Sequence, residues 1–383
     1  MVSAPTPPAG PVPVRCPAIT HPELGLADPG DFDALLARLA DPAAVAASED
    51  FPRGTLQPDG RLDLCKQGLG PYAAQRVVPA AVAFGHATHL LLGTNGLGSE
   101  GARVVADALT DGHRVQTVYL GCNRIDADGA GALADRLAAD RTVRALWLKR
   151  NPIGDAGLAR LCTALAGNTA LRTLDLVNTG LTATGLGELA RTLAGRAAPL
   201  ERLFLGGNGL GPEAVAALAS IVHDGRVREL YLAANALGDT GAAALAEAVE
   251  GLPMTLGLGG NGLTPAGVAA LAARLGAWHA LDLARPPSER ALGATANTVG
   301  DDGAAALAAV LPASALRRLD LRFTAITGRG AKVLVAALND DMPLRYLGLN
   351  GGVPRRLRRL STAVLGPAEA PHPDISAIAS VYR

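Results

Sequence analysis

LLLGTNGLGSEGARVVADAL, residues 90–109, can be read in two ways, and the choice between them decides the fold. An apolar run, Leu90 to Leu92, leads into Gly96-x-Gly98-x-x-Gly101, and a helix-like stretch from Ala102 to Leu109 follows. Strand, G-x-G-x-x-G and helix, in that order, is the layout of a dinucleotide-binding turn, where backbone N–H groups at a helix N-terminus hold a pyrophosphate. Alternatively the glycines belong to a repeating unit, and self-similarity is the test. Gly209-x-Gly211-x-x-Ala214 gives nearly the same pattern more than one hundred residues later. A dinucleotide fold needs one such turn, not a series of them.

The series is there. L-x-L triplets begin at Leu62, Leu90, Val118, Leu146, Leu174, Leu203, Leu230, Leu256, Leu281, Leu319 and Leu347. The steps between them are 28, 28, 28, 28, 29, 27, 26, 25, 38 and 28 residues. After the triplet comes N-x-[LIV]-G, as in Asn95-Gly-Leu-Gly98, Asn151-Pro-Ile-Gly154, Asn208-Gly-Leu-Gly211 and Asn235-Ala-Leu-Gly238. Helical segments such as GARVVADAL, GLARLCTAL and GAKVLVAAL then open on glycine, with apolar residues at helical spacing. The unit L-x-x-L-x-L-x-x-N-x-L resembles the ribonuclease-inhibitor class of leucine-rich repeats over residues 62 to about 352. That resemblance implies an α/β solenoid, a right-handed horseshoe of about eleven repeats with parallel strands on the concave face and helices on the convex face. The physics agrees: neither strand nor helix can bury its own apolar side, and stacking buries both. The Asn column (Asn95, Asn123, Asn151, Asn208, Asn235 and Asn261) is expected to bond the backbone of adjacent turns, because a polar side chain recurring inside a stack needs partners. In the fifth unit Thr179 takes that place, with Asn178 one residue early.

Residues 1–60 read as a Pro-rich arm, a short helix over 31–40 with Asp31 as its N-cap, and a hairpin turning at Pro58-Asp59-Gly60 that caps the solenoid over 61–352. Residues 353–383 supply the C-terminal cap and a packed tail, with Arg355, Arg356, Arg358 and Arg359 on an amphipathic segment. In the ninth unit, 16 positions separate Leu281 from Asn297, where the others take 5. The extra residues form an insertion near 284–296 on the rim, carrying Arg285, Glu289 and Arg290.

Composition narrows function. The chain has 35 basic and 35 acidic residues, so no overall field points to nucleic acid or an anionic membrane. No segment reaches the roughly 18 to 20 continuous apolar residues of a membrane span. Cys16, Cys65, Cys122 and Cys162 form no C-x-x-C pair, and prolines interrupt the N-terminal segment where a signal peptide would be apolar. We expect a cytoplasmic protein, and the Ala, Gly and Arg bias points to a GC-rich bacterial genome.

Strand side chains alternate, so the residue between the two leucines should face the groove. That column contains Tyr119, Trp147, Asp175, Phe204 and Tyr231, four aromatics in a chain that is 3% aromatic. Small residues two positions on, such as Gly93, Gly121 and Gly206, are expected to leave the rings accessible. Lys149, Arg150, His89, Arg202, Glu229 and Tyr346 surround them. The set is the kind used in protein-binding hot spots, and its truncation should leave folding intact. Catalytic signals are thin: His86-x-x-His89 has no third metal ligand, and no cofactor motif survives. Asp175 and Asp282, four strands apart, stand too far from each other for paired-carboxylate chemistry. We therefore expect no catalytic residue, metal or cofactor, and a protein or peptide partner on the concave face. The resemblance to Ran GTPase-activating proteins offers a second reading, with Arg285 or Arg290 as an arginine finger. Ribonuclease inhibition is not implied, since that family's inner face is acidic and cysteine-rich and this chain is neutral.

Overall fold

Each triplet contributes its first leucine and the residue on either side of it to a three-residue strand, followed by a tight turn and a helix. The structure, a computed structural model, describes residues 10–16, 25–284, 292–350, 352–365, 367 and 369–382. The chain divides into two compact units, residues 13–201 with 371–383, and residues 1–12 with 202–370.

In the first unit, β1 (Glu49–Asp50), β2 (Thr55–Leu56) and β3 (Arg61–Asp63) form an antiparallel entry. The turn between β2 and β3 closes with the Gly60 amide donating to the Gln57 carbonyl, where Gly60 has φ 84°. Parallel strands follow: β4 (His89–Leu91), β5 (Thr117–Tyr119), β6 (Ala145–Trp147) and β7 (Thr173–Asp175). Their register matches repeat to repeat, Leu62 to Leu90, Leu90 to Val118, Val118 to Leu146 and Leu146 to Leu174. In the second unit, β8 (Arg202–Phe204), β9 (Glu229–Tyr231), β10 (Thr255–Gly257), β11 (Ala280–Asp282), β12 (Arg318–Asp320) and β13 (Tyr346–Gly348) are parallel throughout. Leu281 pairs with Leu319 across the 38-residue step, so the insertion leaves the ladder intact. Both leucines of the triplets are buried, apart from the partly exposed Leu347 of the last one, as are the inward positions of the helices, for example Gly101, Ala102, Val105 and Ala106 of the helix Gly98–Ala108. Among the described residues no helix is long and apolar enough to cross a membrane.

Three polar columns tie one turn to the next. The first is the asparagine column. The Asn151 amide donates to the carbonyls of Leu120 and Leu148, and its Oδ1 accepts from the Asn123 and Ile125 amides. Asn95, Asn123, Asn235 and Asn261 bond in the same manner, and Asn297 joins after the insertion. Thr179 and Thr324 replace Asn and reach the carbonyl of their own turn, at Leu176 and Leu321. The second column, which the sequence reading missed, lies where helices hand over to strands. The His113 ring bonds Asp140, Asn168 donates to the carbonyls of Leu137 and Asp140, and Arg196 donates to those of Leu165, Asn168 and Leu171. All four side chains are buried, and burial lowers the Arg196 pKa to about 10. In the third column, an Asp in a helix's first turn clamps the N-cap Thr of the next helix: Asp155 to Thr182, Asp239 to Thr264 and Asp301 to Thr327. A Cβ on Gly185, Gly267 or Gly330 would collide with that carboxylate. The clamp therefore accounts for the glycine at the third position of each of these helices.

One local expectation is corrected. Asp31 does not cap a helix. A 3-10 turn begins earlier, at Pro29, where the proline's fixed φ suits a first turn, so Asp28 is the cap and accepts from the Gly30 amide. Asp31 instead pairs with Arg53 at 2.9 Å.

Asn151→Ala orphans buried backbone groups in two turns at once, and each costs about 1–3 kcal/mol. A loss of at least about 3 kcal/mol in urea unfolding is expected. Asp140 gives a pH-dependent counterpart. Burial opposes its ionisation, but the His113 hydrogen bond and the Val143 and Thr142 amides outweigh burial and hold its pKa below the ordinary range. Such a carboxyl stabilises the fold above its unfolded pKa of about 3.9, and the contribution disappears as pH falls through the lower folded value. Asp140→Asn should flatten the decline in stability below about pH 4, measured by urea titration at successive pH values.

Candidate binding face

The glycines of residues 96–101 come first, because their amides settle what that turn can hold. The Asn95 and Leu97 amides donate to Asn123 Oδ1, and the Gly98 amide donates to the Asn123 carbonyl. Three backbone amides of this turn are thus engaged by the next repeat. Gly96 and Gly98 adopt φ 65° and 59°, the left-handed region that glycine enters without strain.

In the first unit the register sets Asp63, Leu91, Tyr119, Trp147 and Asp175 side by side on successive strands. The rings are not accessible, contrary to expectation: Tyr119 is 3% and Trp147 2% exposed, while Leu146 and Leu148 stay buried beneath the strand. Part of the reason is local. A Cβ on Gly93 would collide with the Tyr119 ring, and one on Gly121 would stand 2.8 Å from its hydroxyl. The small column makes room for the tyrosine to lie along the sheet, and Lys149 Nζ sits 5.6 Å from its ring centroid. The C-terminal segment also reaches this unit. Asp374, in the short helix Pro373–Ser376, accepts from the Thr173 hydroxyl at 2.6 Å on β7. Ala377 and Ile378 are buried, and Ser380 and Val381 line a cavity with Asp50, Phe51, Thr55, Asp63, Cys65 and Lys66 at the β2–β3 end. His89 bonds the Thr117 hydroxyl at 2.9 Å, and burial lowers its pKa against the pull of Asp59 and Asp374. No group of three or more His, Cys, Asp or Glu side chains able to hold a metal occurs among the described residues.

Residues 13–16 also return onto this unit. The Arg15 amide donates to Asn178 Oδ1 and Asn178 Nδ2 donates to the Pro13 carbonyl, while Cys16 approaches Cys122 closely enough for a thiol hydrogen bond that raises the Cys122 pKa. The displaced asparagine of the fifth repeat thus holds the arm. Arg150, beside Lys149, occupies a turn position with φ 57°.

In the second unit, Phe204 and Tyr231 stack with centroids 4.3 Å apart and planes 5° from parallel, and both are half-buried. Arg202 pairs with Glu229 at 3.0 Å, and the Tyr231 hydroxyl donates to the same carboxylate. A second cluster surrounds Asp320, which accepts from Arg322, Arg318 and the Tyr346 hydroxyl, with the Arg318 guanidinium 3.9 Å from the Tyr346 ring centroid. Asp282 is the register partner of Asp320. The sequence reading compared Asp282 with the distant Asp175 and missed this neighbour, because the insertion separates the two aspartates along the chain. Equal positions in consecutive triplets were the available signal.

The aspartates between the leucines have a structural use. Asp63, Asp175, Asp282 and Asp320 each accept from the backbone amide two residues on, at Cys65, Val177, Ala284 and Arg322. Each closes an Asx turn at the strand end. Arg285, Glu289 and Arg290 of the rim insertion lie outside the described residues.

A family model described as Leucine Rich repeat matches residues 139–162, 227–246 and 314–335, each holding one strand, its Asn or Thr turn and the start of a helix. A chain from the crystal structure of the Rad7 and Elc1 complex in yeast superposes with a TM-score of 0.54 at 15% identity, over 89% of this chain and 82% of that one. The fold is a leucine-rich-repeat solenoid. The structure of leiomodin-1 actin-binding site 2 aligns over 43% of this chain and 88% of its own, at 17% identity and a TM-score of 0.31, and carries no argument. No curated protein matches the chain by sequence.

Two consequences of the repeat geometry can be measured. Trp147→Ala removes a buried ring and is expected to cost about 3–5 kcal/mol, which calorimetry would register as a fall in melting temperature. Burial raises the Asp175 pKa to about 6, against the opposing influence of Lys149, the Val177 amide and Arg150. A carboxyl raised in the folded state gives stability that is complete below its unfolded pKa of about 3.9 and is lost as pH rises through about 6. Asp175→Asn should therefore be more stable than the parent near pH 8, by on the order of 2–3 kcal/mol, and should show no such advantage near pH 4.

Proposed function

We propose that this chain is a non-catalytic protein- or peptide-binding module that works through the strand faces of its repeats. The observation that carries the reading is the stacked Phe204–Tyr231 pair, set beside the Arg202–Glu229 ion pair on adjacent strands. Rigid half-buried rings beside a guanidinium are the composition of an interface anchor, since they contribute contact area at low entropic cost. Tyr346 adds the same chemistry in that unit, and His89, Lys149 and Arg150 are the corresponding polar residues of the other unit. The structurally similar chain comes from a protein complex, which accords with a protein partner. The repeat period of about 28 residues keeps the ribonuclease-inhibitor-like class as our reading of the solenoid, and the cysteine pattern and composition keep a cytoplasmic, bacterial setting.

Affinity capture from native cell extract tests the proposal. Phe204→Ala combined with Tyr231→Ala should reduce partner recovery at least tenfold, with a cooperative melt retained. Unchanged recovery would refute a role for this pair.

A further inference from the structure

We propose that residues 371–382 are an exchangeable, built-in peptide ligand of the strand face formed by β3 to β7. The partner this face takes is then a peptide segment of the same chemistry: a Pro-Asp helical turn presenting a carboxylate, followed by small and aliphatic residues. The inference rests on the reading of the strand faces as protein-binding surfaces and adds the identity of the ligand class.

The C-terminal segment has no place in the repeat. After Ala370 the chain returns to the unit of residues 13–201, where it forms a four-residue helix, Pro373–Ser376, and a 3-10 turn, Ala379–Tyr382. It joins no strand ladder. Its contacts run across the strands: Asp374 meets Thr173 on β7, and Ser380 and Val381 meet the residues around β2 and β3. The strands between these two ends carry Leu91, Tyr119 and Trp147. Those side chains would form an open apolar strip on a bare face, yet all three are buried, as are Ala377 and Ile378 of the segment.

The segment is also constructed as a ligand would be. Pro373 occupies the first helical position, and the His372 ring accepts from the Asp374 amide, so the turn is capped from within. Its carboxylate projects from this turn to a buried hydroxyl, and the following residues, Ala377, Ile378 and Ala379, are small or aliphatic.

Exchange follows from size and tethering. Twelve residues form a small footprint beside the roughly 20–30 residues a side of a standard interface. An external segment that repeats the turn and adds further contacts can displace them. Until then the tether holds the segment at an effective concentration of about a millimolar, which sets the threshold a partner must exceed.

The test uses the full chain and a fluorescently labelled peptide of residues 371–382. In a full-length variant carrying Asp374→Ala and Ile378→Ser, the built-in segment is weakened while the repeats are unaltered. The peptide should bind this variant at least tenfold more tightly than the parent chain, and a peptide with Asp374→Ala should lose at least tenfold of that affinity. Equal binding to parent and variant, or no binding to a variant that melts cooperatively, overturns the inference. Hydrogen exchange on the parent chain supplies a measurement that does not depend on the variant folding. The Ile375, Ser376 and Ala377 amides should exchange by local opening, well before the β5 and β6 amides beneath them, and exchange only on global unfolding overturns exchangeability. Peptides selected by display against the variant separate the two readings. If the tail peptide fails but unrelated selected peptides bind and are weakened by Thr173→Val, this inference falls while the binding face stands. If no peptide binds at all, this inference falls, and capture with the Phe204→Ala and Tyr231→Ala variant decides the binding module separately.

Discussion

A carboxamide held between two turns of backbone is the interaction on which the rest of this molecule depends. Each strand ends in a tight turn whose carbonyls and amides point inward, away from water, and those groups have to be paired. One asparagine satisfies a carbonyl of its own turn and a carbonyl and two amides of the preceding turn, so the two repeats are locked at a fixed register. Leucines fill the space this leaves, and they pack well only because the register does not slip. Threonine at positions 179 and 324 satisfies the local carbonyl with a hydroxyl. The ladder tolerates these exchanges because the second and third columns, at the helix ends, tie the same turns together independently.

A constant register also fixes what each strand face can present. Residues between the leucines stand in a row within each unit: Asp63, Leu91, Tyr119, Trp147 and Asp175 in the first, and Phe204, Tyr231, Gly257, Asp282, Asp320 and Gly348 in the second. Where glycine follows, a ring can lie along the sheet instead of standing from it, as Tyr119 does over Gly93 and Gly121. The aspartates bond to their own strand ends, so their carboxylates are committed to structure while remaining sensitive to burial, as the raised pKa values of Asp175 and Asp282 show.

Both described terminal segments return to the repeats. The segment 13–16 is held by Asn178, the asparagine that sits one place early in the fifth repeat. In the segment 371–382, Asp374 accepts from Thr173, and Ala377 and Ile378 are buried. A solenoid has exposed edges and faces along its whole length, and non-repetitive sequence is what is available to cover them.

By itself the sequence determined the repeat, its period, the alternation of strand and helix, and the asparagine column. These follow from local rules that act identically in every unit, so eleven copies make them legible. Only the tertiary structure decided which faces are covered. The burial of Tyr119 and Trp147, the pairing of Asp282 with Asp320 across the insertion, and the His113–Asp140–Asn168–Arg196 column all depend on what lies in the adjacent turn or on a segment far along the chain. Side-chain alternation says that a residue points away from the helices. It says nothing about a tail two hundred residues later that comes back to lie on it.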